Sequence, residues 1–183
     1  MLDELKNALP DYAKDLKLNL SSVLAQPALT DAQAWGTALA AAVASRNART
    51  LRAVAAEAEQ RLSPEIVRAA KGAAAIMGMN NIYYRFTHAV PGKDYAGMRA
   101  GLRMNIIANH GVSGLDFELW ALAVSAVNGC AMCMESHERA VMEKGATPEL
   151  VQAIVKIAAV IHAVAVTLEA EDAVPVSTQA AAA

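Results

Sequence analysis

Apolar residues recur at helical spacing from the start of the chain. Leu2, Leu5, Leu9, Tyr12, Leu16 and Leu20 fall on one stripe, and Pro10 marks a break or a fresh first turn. Thr30-Asp31-Ala32-Gln33 has the form of a capping box, which predicts a helix through Trp35, Leu39 and Val43. Ser63-Pro64-Glu65 is another opening: Ser caps, Pro takes the first helical position, and the acid lies near the positive end of the dipole. That helix is expected to cross an alanine-rich run to about Met79, with a chain break at Pro91-Gly92. Asn109-His110-Gly111 and Ser113-Gly114 read as a loop before a helix from Asp116 to Val127. Thr147-Pro148-Glu149 opens the last helix, to about Leu168. Residues 173–183, with Pro175 and a closing alanine run, read as a flexible tail. No stretch alternates long enough to make a strand, so the fold class is all-α.

Two stretches of this pattern occur twice. Asp31-Ala32-Gln33-Ala34-Trp35 is matched by Asp116-Phe117-Glu118-Leu119-Trp120, and Ser63-Pro64-Glu65-Ile66-Val67 by Thr147-Pro148-Glu149-Leu150-Val151, at a nearly constant offset. Such an offset points to a duplicated helical unit, about 30–82 and 115–168, inside a single domain over 1–172. Chance likeness between alanine-rich helix starts is the alternative. In this alignment Cys130 and Cys133 fall opposite Ser45 and Ala48, His137 opposite Arg52 and Glu118 opposite Gln33, so only the second half carries chemistry.

Composition agrees with closely packed helices. Of the 183 residues 55% are hydrophobic but only 4% aromatic, and alanine dominates, a strong helix former too small to fill a sheet sandwich. The formal net charge of −2, with no Lys/Arg block, leaves no electrostatic footprint for nucleic acid or an anionic membrane. The start, Met1-Leu2-Asp3-Glu4-Leu5-Lys6, lacks the form of a signal peptide. The longest uncharged runs, Leu119 to Met134 and Ile157 to Ala170 (broken by Glu169), are shorter than a membrane span. A cytoplasmic protein is expected. Its two cysteines then need a reason other than a structural staple, because that compartment keeps thiols reduced.

The reason lies in their surroundings, Glu118-x11-Cys130-x2-Cys133-x3-His137. Cysteines at i and i+3 on one helix are neighbours, close enough to bridge reversibly. Asn128-Gly129 is a helix start or break that would set Cys130 in a first turn, where the dipole and free N–H groups stabilise a thiolate. His137 lies one turn after Cys133 and can take its proton, while Glu118 can fold back to orient the imidazole. The helix start favours Cys130 as the reacting thiol; the histidine favours Cys133. Other readings are a zinc half-site, which has three ligands where a closed site wants four, and two inert buried cysteines. Covalent haem attachment fails, since Met134 follows the second Cys where a His is required. His88, His110 and His162 have no partner spacing, and Met77, Met79, Met98, Met104, Met132, Met134 and Met142 read as packing.

These residues closely resemble the alkyl hydroperoxidase D family, within the carboxymuconolactone-decarboxylase-like superfamily. The likeness runs through Leu9-Pro10-x-Tyr12-Ala13-Lys14-Asp15, Ala73 to Asn81, Gly101 to Asn109, Phe117-Glu118-Leu119-Trp120 and Val124 to His137, and it spans about residues 2–170. It implies an antioxidant peroxidase that reduces organic hydroperoxides to alcohols. Cys133 would form the sulfenic acid, Cys130 would be proton donor and resolving thiol, and Glu118 with His137 would relay protons. No cofactor would be bound. Dihydrolipoamide would re-reduce the disulfide, carried on a lipoylated 2-oxoacid dehydrogenase subunit, and electrons could pass to a partner peroxiredoxin, alkyl hydroperoxide reductase C. The family's oligomers imply a homo-oligomer, here a trimer. One departure is Met132, where some relatives place a histidine directly before the second Cys. A lactone-acid decarboxylase of the same fold needs no CxxC, and a non-enzymatic thiol adaptor that only relays electrons is the other alternative.

Overall fold

In the structure, a computed structural model describing residues 1–90 and 93–174, Thr30, Asn47, Ser63, Ser113 and Thr147 each cap a helix start with the side chain. Pro10 ends the first stripe: α1 (Leu2–Asn7) stops before it, and a short 3-10 turn (Asp11–Ala13) leads into α2 (Lys14–Leu24). Thr30 opens α3 (Asp31–Ser45) with a complete capping box, its Oγ1 accepting from Gln33 N at 3.2 Å and its N–H donating to Gln33 Oε1 at 3.0 Å. Asn47 opens α4 (Ala48–Arg61), and Ser63 opens α5 (Pro64–Ala89). A single turn, α6 (Asn105–Ala108), precedes α7 (Gly114–Val127), α8 (Ala131–Glu143) and α9 (Pro148–Ala173). Among the described residues there is no strand, and the protein is all-α.

Two helices outrun their expected ends. Gly72 and Gly78 do not interrupt α5, and with neither glycine nor proline after Met79 it runs on to Ala89. The last helix passes Leu168 to Ala173, so the first residue of the expected tail is still helical. Pro91, Gly92 and 175–183 lie outside the described residues. The series α3-α4-α5 and α7-α8-α9 run in parallel: α5 and α9 each have 26 residues, a Ser or Thr cap and a proline in the first turn. Matching the helix starts sets Cys130 opposite Asn47 and Cys133 opposite Thr50, two places from the alignment by sequence alone.

The core is built on α3 and α7. Ala38, Leu39, Ala40, Ala41 and Ala42 of α3, and Leu119, Trp120, Ala121, Ala123 and Val124 of α7, are fully buried. Both helices are therefore apolar around most of their circumference, as expected of helices surrounded by others. α3 packs on α4, α5, α7 and α9, and α7 also meets α5, α8 and α9. By length and composition α9 could cross a membrane. Here Ile154, Ile157, Ile161, Val164 and Leu168 of that helix lie wholly inside the core, against α2, α3 and α7.

Gly36 lets α3 and α7 approach. The Trp120 ring covers it, and the indole N–H donates to Ala32 O at 3.1 Å, so the one donor of the buried ring is satisfied. A Cβ at Gly36 would lie 2.5 Å from Trp120 Nε1. Gly36→Ala is expected to cost about 1–3 kcal/mol, the usual penalty for overpacking, despite a gain of up to ~1 kcal/mol in helix propensity. Urea unfolding checks this; unchanged or higher stability would show that α3 and α7 have room to spare.

Candidate active site

The site begins where α7 stops. Gly129 takes the left-handed conformation at φ 67°, which costs a glycine nothing. Gly129 N–H then donates to Ala126 O at 3.1 Å, and Cys130 N–H to Ser125 O at 3.1 Å. These two bonds make a Schellman motif, which uses up carbonyls that a helix end otherwise leaves unpaired. Asn128-Gly129 is thus a helix stop. The next residue, Cys130, becomes the N-cap of α8, its carbonyl accepting from Met134 N–H at 2.9 Å.

This placement corrects the expected one. Cys130 does not sit inside the first turn; it stands one position before the helix, and Cys133 is the first-turn residue. The two are joined by a disulfide with S–S 2.05 Å and Cα–Cα 5.2 Å. Both sulfurs therefore lie at the positive end of α8, near N–H groups with no intrahelical partner. The dipole does not single out either one. Access does: Cys130 is fully buried, whereas Cys133 retains 7% exposure and lines a cleft of about 880 Å³.

His137 stands on the same wall of that cleft, one turn beyond Cys133 on α8. Its Nδ1 lies 2.7 Å from Oε2 of Glu118, which reaches across from α7. An ionised carboxylate only accepts, so Nδ1 carries the hydrogen and Nε2 is turned the other way. There Nε2 meets Met77 Sδ at 3.2 Å. Both members of the pair are largely shielded, at 16% and 19% side-chain exposure, which protects their interaction from solvent screening. Asp116, two residues before Glu118, has its carboxyl raised above the ordinary range by burial, against hydrogen bonds from Gln33 and Ser113.

All four expected site residues thus converge, and the structure adds others. Asn81 on α5 is 1% exposed; its Nδ2 donates to Ser125 Oγ at 2.9 Å, and its Oδ1 accepts from Asn128 Nδ2 at 2.9 Å. Arg85 donates to Asn128 O at 2.8 Å. One face of α5 therefore holds the turn that precedes the cysteines. Sequence reading missed this network, although two adjacent asparagines inside an alanine-rich helix were a signal. Four methionines read as packing, Met77, Met104, Met132 and Met142, line the cleft. His110 stacks on Phe117 at 4.6 Å and His162 lies 3.2 Å from Ser45 Oγ, both away from the cleft. Among the described residues no group of His, Cys, Asp and Glu has the geometry of a metal site.

An all-α scaffold with a CxxC pair at a helix start and a Glu–His pair beside it defines a class, and comparison with known proteins agrees. The model of the carboxymuconolactone decarboxylase family matches residues 93–174, which contain the whole constellation. A protein of Gluconacetobacter diazotrophicus named alkyl hydroperoxide reductase AhpD is 60% identical, over 92% of each chain. Proteins of the same name from Maricaulis maris and Rhodospirillum centenum are each 57% identical, covering 93% and 94% of this chain and 98% and 92% of theirs. The chain belongs to the AhpD family.

Proposed function

We propose that the protein is an antioxidant thiol peroxidase reducing organic hydroperoxides to alcohols through the Cys130–Cys133 pair. The observation that carries this reading is the cleft: it reaches Cys133, excludes Cys130 and holds His137 on the same wall. In the reduced protein the Cys133 thiolate attacks the hydroxyl-bearing oxygen of R–O–O–H. An S–O bond forms as the O–O bond breaks, and the departing RO⁻ takes a proton to leave as alcohol. Cys130 then attacks the sulfenic acid, releasing water and giving the disulfide seen here. Glu118 fixes the Nδ1–H tautomer of His137, which frees Nε2 to exchange protons with the cleft once it leaves Met77. The names borne by relatives of 57–60% identity support a peroxide-reducing role.

Dihydrolipoamide is the proposed reductant, on a lipoylated 2-oxoacid dehydrogenase subunit in the cytoplasm, with alkyl hydroperoxide reductase C as an electron-accepting partner. A dithiol suits the task because its second thiol resolves the mixed disulfide intramolecularly. A homotrimer is proposed as well. Ile82 and Phe86 of α5, with its C-cap Val90, form an exposed apolar stripe at 65%, 46% and 37% exposure, of the kind that symmetric association covers.

Purified protein is expected to oxidise dihydrolipoamide in the presence of an organic hydroperoxide and no other protein. Turnover only after a peroxiredoxin is added would make the chain an electron-relay adaptor instead. Glu118→Gln and His137→Phe should each lower turnover by about 10²–10⁴-fold, the range for losing general acid–base help, with little change in melting temperature. A variant that unfolds would instead assign its residue to the fold. Light scattering should give a mass well above 19.2 kDa, and a monomer at micromolar concentration would contradict the trimer.

A further inference from the structure

Four methionines line the cleft, and one of them is unlike the rest. Met104, Met132 and Met142 keep some exposure, whereas Met77, which lines the cleft from α5 with Asn80 and Tyr84, is buried at 1%. A methionine so deeply buried ordinarily fills space, a task that leucine does as well. The sulfur of Met77, however, lies against the one ring nitrogen of His137 that Glu118 leaves over. Nδ1 is 2.7 Å from Glu118 Oε2, and Nε2 is 3.2 Å from Met77 Sδ. The same sulfur is 4.0 Å from Nδ2 of Asn81, the residue that fastens the turn before the cysteines. Sulfur gives an otherwise apolar side chain an acceptor, and a thioether is a weak one. The imidazole is therefore held at both nitrogens, strongly at one and lightly at the other.

Building on the peroxidase reading above, we propose that Met77 is a positioning residue, whose Sδ holds the His137 ring while Nε2 carries a proton and releases it once that proton is gone. A thioether sulfur accepts and cannot donate, so it attracts an N–H and repels the lone pair of a bare ring nitrogen. The peroxidase step uses both states. Nε2 takes the proton of the Cys133 thiol, and the thiolate attacks the terminal oxygen of R–O–O–H. The S–O bond forms as the O–O bond breaks, and RO⁻ takes the proton from Nε2 to leave as alcohol. The peroxide's own hydrogen stays on the transferred oxygen, now that of the sulfenic acid, so sulfur loses two electrons and the peroxide gains them. Between the two transfers the proton needs a station that keeps the ring in place without trapping it. An oxygen anion at Nε2 would hold it by a stronger, charge-assisted bond. A thioether fixes the ring and lets it go.

The test is a double-mutant cycle with Met77→Leu, which nearly keeps the volume and removes the acceptor, made in the parent and in His137→Phe. Pre-reduced protein is mixed with cumene hydroperoxide, and the disulfide is followed by rapid acid quench, alkylation and mass spectrometry. Met77→Leu is expected to slow oxidation by about 3–10-fold in the parent, the worth of one hydrogen bond. In His137→Phe it should have no effect, because there is no ring nitrogen left to hold. A second readout needs no turnover: nitrogen NMR of the oxidised protein, labelled at its histidine rings. There Met77→Leu is expected to move the Nε2 resonance of His137 and to leave Nδ1, on Glu118, in place. Oxidation at the parent rate overturns the proposal, as does the same slowing in both backgrounds, which is what a packing role alone would give. An Nε2 resonance that does not move overturns it too. If the parent itself fails to react with hydroperoxide while Nε2 still responds to Met77, the peroxidase reading falls and this role with it.

Discussion

The four candidate site residues all hang on one turn. Glu118 lies before it on α7, Cys133 and His137 after it on α8, and Cys130 is its last residue. Gly129 can hold φ 67° without strain, and the Schellman bonds at Ala126 and Ser125 fix the angle at which the chain leaves α7. That angle brings two side chains 19 residues apart to 2.7 Å. Arg85 and Asn81 then fasten the turn to α5, so the helix carrying Met77 and Asn80 keeps a fixed position relative to the cysteines. A change that loosened the turn would disturb the sulfur pair, the Glu–His contact and the cleft wall together.

The two series of helices differ at one matching start. At the α4 start, Asn47 caps with its side chain, accepting from Thr50 N at 3.0 Å and Thr50 Oγ1 at 3.1 Å. At the α8 start the N-cap and third helical residue are Cys130 and Cys133, and a covalent bond replaces the hydrogen bonds. The scaffold requirement is similar at both sites: join the cap to the first turn. A disulfide meets it in the oxidised state, and its reduction leaves two thiols at the positive end of a helix, where thiolates are favoured. The same local geometry therefore supports both the fold and the proposed redox cycle.

Much of the fold was legible because capping is local. Thr30 with Gln33, Ser63 with Pro64 and Thr147 with Pro148 announce their helices within a few residues, and each does so in the structure. Helix ends were harder, because past Met79 and Leu168 the helices α5 and α9 run on through residues many of which are exposed, with neither glycine nor proline before Ala89 or Ala173 to mark a stop. At the site, spacing and resemblance gathered Glu118, Cys130, Cys133 and His137. Spacing alone could not tell a helix start from a helix stop at Asn128-Gly129, so Cys130 was set one step too far into α8. The support from Asn81 and Arg85, and the Met77 contact to His137 across 60 residues, depend on how α5 packs, which no local pattern encodes.

The central claim is that the peroxide meets Cys133 and that Cys130 answers from inside. Both sulfurs share the helix end, so the claim rests on access to the cleft and on the nearness of His137. Trapping sulfenic acid with a dimedone-type probe in Cys130→Ser and Cys133→Ser tests it most directly. With its resolving partner gone, Cys130→Ser should accumulate label on Cys133 after one equivalent of hydroperoxide, while Cys133→Ser stays largely unlabelled. Label on Cys130 in the second variant, with none on Cys133 in the first, would contradict the account.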